Sequence, residues 1–126
     1  DVLKEAAVSR IMQETAIGAD LVVEASGAGS AIRTSIRALR KWGRLCAIGM
    51  TGAPMVEVPW NEAMMKVIDI QFNMSSSYNG WNIALSLMAS GKLKVAPMIG
   101  TRPLTEWQAA FADLEVGKAM KLLLEI

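Results

Sequence analysis

Gly27, Ala28 and Gly29 follow an apolar run and precede an amphipathic one. At such a junction a chain can cradle a phosphate on the free N–H groups of a glycine turn and helix start. Two features argue against a pyrophosphate grip. Ile32 stands at the third glycine position of the GxGxxG pattern, where its side chain would hold the helix off the sheet. The following strand ends near Gly49 and Met50, not at the acid that would bind a ribose. The turn therefore reads as one that lines a crevice without holding a pyrophosphate.

Other chemistries are excluded by absence. The chain contains no histidine, so it lacks the commonest general base and metal ligand. With a single cysteine besides, it offers no zinc ligand set and no serine–histidine triad. Tyr78 follows three serines, but a tyrosine acid needs a lysine one helical turn on to depress its pKa, and Asn82 stands there. Cys46 lies between Leu45 and Ala47 and reads as a small buried hydrophobe. No catalytic residue is assigned.

The elements around the turn form a strand–helix–strand unit. Leu21, Val22 and Val23 are an uninterrupted run, expected to be buried on both faces of a parallel sheet. Ser30 is the expected N-cap of the helix. Ile32, Ile36 and Leu39 share its inner face, and Arg33, Arg37, Arg40 and Lys41 share its solvated face. Gly43 suits the left-handed position past its end, and residues 45–48 form the next strand. Upstream, Leu3, Ala7 and Ile11 mark a helix over residues 3–15 that Gly18 ends, and Asp1-Val2 would be the tail of an earlier strand.

Downstream, residues 50–59 form a loop broken by Gly52, Pro54 and Pro59, and residues 60–66 a short helix capped by Asn61. Residues 67–74 alternate as a half-exposed strand, and residues 75–79 form a loop. Trp81, Ala84, Leu85 and Met88 define a helix stopped by Gly91. Residues 97–101 are extended. Thr105 and Gln108 have capping-box spacing for a last helix that buries Trp107, Ala110, Phe111 and Leu114 and ends at Gly117, and residues 120–126 form a closing strand.

The 126 residues are one domain's worth of chain, with 52% hydrophobic and 20% charged residues and a net charge of +1. Nothing here marks disorder, a nucleic-acid partner or a membrane span. One cysteine cannot close an internal disulfide, so a reducing, cytoplasmic setting is expected. Asp1 in place of methionine favours a truncated or processed chain.

The run GADLVVEASGAGSAIRTSIRALRKWGRLCAIGM resembles the second half of the cofactor-binding domain of the medium-chain dehydrogenase family, the zinc-type alcohol and polyol dehydrogenases. VPWNEAMMKVIDIQ, ALSLMASGKLKVAPMI and RPLTEWQAAFADLEVGKAMKLLLEI resemble later segments of the same family in the same order. The resemblance implies an α/β fold: the second half of a Rossmann-type doubly wound parallel sheet, strands four to six, plus C-terminal helices and a closing strand. Residues 1–78 would be a partial dinucleotide-binding domain and residues 79–126 a segment returning toward the substrate domain.

Carried over position by position, Ala25, Ser26 and Gly27 would lie near the adenosine of NAD or NADP. Ile48, Gly49 and Met50 would meet the nicotinamide side, Asn73 and Met74 the carboxamide, and Lys121 the phosphates. Plain sheet packing accounts equally for Ala25, Ile48 and Met50, a turn requirement for Gly49, and a surface charge for Lys121. Two positions depart from the family pattern: Trp42 replaces a proline and Phe72 a glycine. Zinc and its ligands would belong to the parent enzyme only.

Such a chain would be the C-terminal fragment of an enzyme transferring hydride between a nicotinamide cofactor and an alcohol or polyol, inactive alone. A self-contained, non-catalytic α/β binding or interaction module and a zinc-free reductase of the same family stay open. The first strand would lack its usual neighbour, the missing N-terminal half. Its bare edge is therefore expected to pair with the N-terminal segment or a second copy, giving a homo-oligomer. Light scattering at micromolar concentration checks this: an assembly larger than one chain is expected, and a clean monomer with a bare edge would contradict it.

Overall fold

A computed structural model describes residues 6–126, so Asp1, Val2 and Leu3 lie outside the described residues. The chain divides between Ser75 and Ser76 into two compact units.

In the first unit, the apolar periodicity after residue 6 forms α1 (Ala7–Thr15), which closes on Ala16 in the left-handed conformation. Gly18, at φ 102°, then turns the chain into β1 (Ala19–Glu24). The order continues as α2 (Gly29–Ala38), β2 (Leu39–Ala47), α3 (Trp60–Lys66) and β3 (Asp69–Phe72). The three strands are parallel, in the order β1-β2-β3. Val22, Leu45 and Ile70 sit opposite one another across the sheet. They meet Ile36 and Ala63 of the two helices in one apolar core that includes Leu39.

Helix α2 departs from the sequence reading at both ends. It begins at Gly29 with Ala28 as its extended cap residue, so Ser30 does not cap it. It stops at Ala38, because Leu39 already pairs with Ala19 as the first residue of β2. Arg40 therefore leaves the helix face and forms an ion pair with Asp20 on β1. The register then jumps from Ala19–Leu39 to Leu21–Arg44, and the extra residues bulge outward through Trp42, which takes φ 62°. Gly43 is thus not the left-handed residue. A Cβ there would come within 3.1 Å of Ala19 O and 3.0 Å of Arg40 O, so glycine lets the two strands close up beside the bulge.

Strand β1 is buried on one face only: Leu21 and Val23 are 55% and 56% exposed, because α2 and α3 both cover the side that Val22 faces. Among the described residues β1 pairs on one side alone, with β2. Strand β3 is shorter than the run 67–74, since Val67 is spent as the left-handed cap of α3. Pro59, not Asn61, occupies the N-cap position of that helix.

The second unit begins with α4 (Tyr78–Ala89), which starts inside the expected 75–79 loop because the Ser77 side chain accepts the Gly80 N–H. A single 3₁₀ turn, Ala96–Met98, takes the first two residues of the expected extended piece, and the other three are strand, opening β4 (Ile99–Pro103). Another, Leu104–Glu106, draws in Thr105, so no capping box forms at α5 (Trp107–Glu115). Strand β5 (Lys121–Glu125) pairs with β4 in parallel. Of the stripe expected on α5, only Ala110 is fully buried. Trp107 and Phe111 are about half exposed and pack edge to face, with ring centroids 6.2 Å apart. Arg102 of β4 ties to Asp113 of α5 and to Glu106.

Candidate functional site

Parallel strands end on the same side of their sheet, and the loops that leave those ends meet there. Glu24, Ala47 and Phe72 are the last residues of β1, β2 and β3, and they stand side by side in the register. The backbone carries this alignment past the strand ends. The Ile48 and Gly49 amides both donate to Glu24 O, at 2.8 and 3.1 Å, and the Asn73 amide donates to Ala47 O at 2.9 Å. Gly27 is thereby brought against Gly49 and Met50, and Asn73 stands next to the end of β2.

The two turns touch closely enough to require glycine. A Cβ on Gly27 would overlap Met50 O, and one on Gly49 would overlap Gly27 N. The outer surface of the cluster is open: Ala25, Ser26 and Asn73 are exposed, and Ile48, Met50 and Met74 present bare apolar side chains. Lys121 belongs to the second unit, where it opens β5 and is exposed.

The group that organises the cluster is one the sequence reading missed. Glu24 is only 4% exposed. Its Oε1 accepts from Ser26 N (2.8 Å), Ser26 Oγ (2.6 Å) and Gly27 N (3.0 Å). The Ser26 hydroxyl in turn accepts from Ala28 N at 3.2 Å. Burial pushes the Glu24 carboxyl up, but the Ser26 hydroxyl and the Ser26 and Gly27 amides outweigh it and hold the pKa below the ordinary 4.5. The sequence did carry a signal. An acid closes a buried apolar run, with serine two residues on and glycine three on, and an acid in that position needs donors within reach.

This arrangement decides what the turn can do. The amides of Ser26, Gly27 and Ala28, which a phosphate-cradling loop would aim outward, are all taken internally. The turn offers shape and apolar surface, not an anion hole. Asn73 is likewise tied back, its Nδ2 donating to Cys46 Sγ at 3.2 Å, and Cys46 is half-buried beneath it.

Between the sheet, α2 and α3 lies a cavity of about 270 Å³, walled by Ile32, Ile36, Leu45, Val58, Trp60 and Ile70 among others. Its lining is almost wholly apolar. Among the described residues no group of three His, Cys, Asp or Glu side chains could hold a metal ion. With no histidine in the sequence, this chain does not fit a zinc site. No helix among the described residues is long and apolar enough to cross a membrane.

A family profile described as zinc-binding dehydrogenase matches residues 1–90. The chain is 32% identical over 109 residues to a D-arabitol-phosphate dehydrogenase of Enterococcus avium, a match covering 86% of this chain and 31% of that protein. It is 33% identical over 107 residues to a sorbitol dehydrogenase of Gallus gallus, covering 84% and 30%. The chain thus spans about a third of the length of the curated relatives it matches. Among solved structures, the alcohol dehydrogenase TADH from Thermus sp. ATN1 superimposes with a TM-score of 0.91 at 26% identity, over 100% of this chain and 37% of that one. The 2R,3R-butanediol dehydrogenase of Bacillus subtilis gives 0.84 at 18% identity, over 97% and 35%, and shares the fold.

Proposed function

Because this chain belongs to the zinc-binding dehydrogenase family, we propose that it builds the second half of a nicotinamide-dinucleotide crevice in an oxidoreductase acting on alcohols or polyols. The observation that carries the reading is the open ledge at the carboxyl ends of three parallel strands, where the two strand-end turns and Asn73 meet. Ligands of open α/β sheets bind outside the carboxyl ends of the strands.

In this reading residues 6–75 supply the sheet and the ledge. Ala25, Ser26 and Gly27 face the adenosine side, Ile48, Gly49 and Met50 the nicotinamide side, and Asn73 and Met74 the carboxamide region. Lys121 is assigned to the cofactor phosphates on the family resemblance alone. When bound, the dinucleotide supplies or accepts the hydride. The residues of this chain orient it and shield one flank from water through Ile48 and Met50. The pyrophosphate grip, the metal and the proton relay belong to the rest of the parent enzyme, so the chain alone binds weakly and does not turn over substrate. One unpaired thiol suits a reducing, cytoplasmic setting.

Titration of the isotope-labelled chain with NAD+ and, separately, NADP+ tests the reading by NMR. The amide resonances of Ala25, Ser26, Gly27, Ile48, Gly49, Met50 and Asn73 are expected to shift along one shared saturation curve at millimolar ligand. Absence of shifts there, or shifts confined to other elements, would overturn it.

A further inference from the structure

Glu24 does more than close a turn. Through its carboxylate it fixes Ser26 and Gly27, and through its carbonyl oxygen it accepts both the Ile48 and the Gly49 amides. One residue therefore holds both strand-end turns. Its Oε2 also lies under Gly49, where an added Cβ would come within 2.7 Å of it. A carboxylate is costly in this place, since Glu24 is buried against the apolar cavity that Leu45 and Ile36 line. An apolar residue there would satisfy the core, but it would leave three donors on Ser26 and Gly27 without their acceptor.

We propose that Glu24 is a positioning residue, which sets the spacing of the two turns so that Ala25 and Ser26 on one and Ile48 and Met50 on the other form one continuous ledge for a dinucleotide that Glu24 itself never touches. The proposal rests on the dinucleotide reading above and adds to it a residue buried beneath the surface. The shape of the ledge is set by a side chain on the core side of the sheet. Ser26 takes part as a relay, donating its hydroxyl to Glu24 and accepting Ala28 N–H, so the start of α2 is held by the same group.

The test uses the full 126-residue chain as wild type, Glu24→Gln and Ile36→Val, with amide hydrogen exchange and NAD+ titration on each. Gln keeps the shape and one acceptor but loses the charge. Exchange is expected to quicken about tenfold in Glu24→Gln, because the hydrogen bonds to the carboxylate lose their charge assistance. It should do so at Ser26 and Gly27 and also across the gap at Ile48 and Gly49, while the amide of Leu45 in mid-strand keeps its wild-type rate. The NAD+ dissociation constant should rise at least about fivefold, by the same argument. Ile36→Val, a core change without a hydrogen bond to either turn, should alter neither.

Faster exchange confined to Ser26 and Gly27 would reduce Glu24 to a local turn stabiliser and overturn the proposal. So would an equal loss of NAD+ affinity in Ile36→Val. Should wild type show no NAD+ shifts at the ledge, the dinucleotide reading falls, while the exchange coupling between the two turns still reports whether Glu24 links them. If Glu24→Gln does not fold, Ser26→Ala, which deletes one donor and keeps the acid, gives the exchange readout. The proposal then requires its effect to reach Gly49, and an effect that stops at Gly27 contradicts it.

Discussion

Gly27→Ala should lower the stability of the first unit by about 2–5 kcal/mol, the sum of a left-handed alanine and an overpacked contact. Gly27 sits at φ 69°, where a Cβ crowds its own backbone. That Cβ would also point into the Met50 carbonyl, which is backbone and cannot swing aside as a side-chain tip could. Relieving the overlap means parting the β1 and β2 turns, and that breaks the Ile48 and Gly49 hydrogen bonds to Glu24 as well. Against a typical stability of about 5–15 kcal/mol, such a loss brings a domain close to unfolding. Gly52→Ala is the matched control, because a Cβ there meets nothing within 4 Å, and its effect should stay within about 0.5 kcal/mol. Urea unfolding of the two variants measures the difference. A Gly27→Ala midpoint equal to that of Gly52→Ala would show that the turns are not packed together as described.

The second large effect belongs to Glu24. Glu24→Ala strips the acceptor from Ser26 N, Ser26 Oγ and Gly27 N, and should cost about 2–4 kcal/mol near neutral pH, since part of the loss is recovered by water reaching the exposed Ser26. The pH dependence has a definite sign. The folded carboxyl titrates below its ordinary value of 4.5. Its stabilisation is therefore complete above that value, and it is lost as pH falls through the lower folded pKa. The stability gap between wild type and Glu24→Gln should be constant near neutrality and shrink in acid. Comparing the two variants removes the contribution of the other carboxylates, which titrate in both. A gap that widened on acidification would mean that burial, not the hydrogen bonds, governs this group.

Much of this architecture was legible in the residues. The apolar run at 21–23, the glycine turn, the 32/36 helix stripe and the run at 45–48 together specify a strand, a crossover helix and a parallel strand, which is how the chain folds, although Ile48 lies just past the end of β2. The places that misled share a physical cause, the override of local pattern by pairing. Leu39 continues the helical spacing of Ile32 and Ile36, yet its partnership with Ala19 makes it strand. Gly43 has the right chemistry for a left-handed cap, yet Trp42 takes that conformation and Gly43 is used for close approach. The uninterrupted run Leu21–Val23 suits burial on both faces, but a run of apolar residues cannot reveal which face the helices cover.

Gly27, Gly49 and Met50 meet at one end of this sheet because strand ends and their loops follow from strand order. Glu24 escaped notice because its role depends on donors from two separate turns, and only the second of them lies outside its own sequence neighbourhood.

The ends of β1 and β2 are proposed to form a ledge with an adenosine side and a nicotinamide side. Intermolecular nuclear Overhauser contacts between NAD+ and the labelled chain test it most directly. Contacts are expected from the adenine protons to Ala25 and Ser26, and from the nicotinamide protons to the Ile48 and Met50 methyl groups. Contacts with that order reversed, or made only to residues away from these two turns, would contradict it.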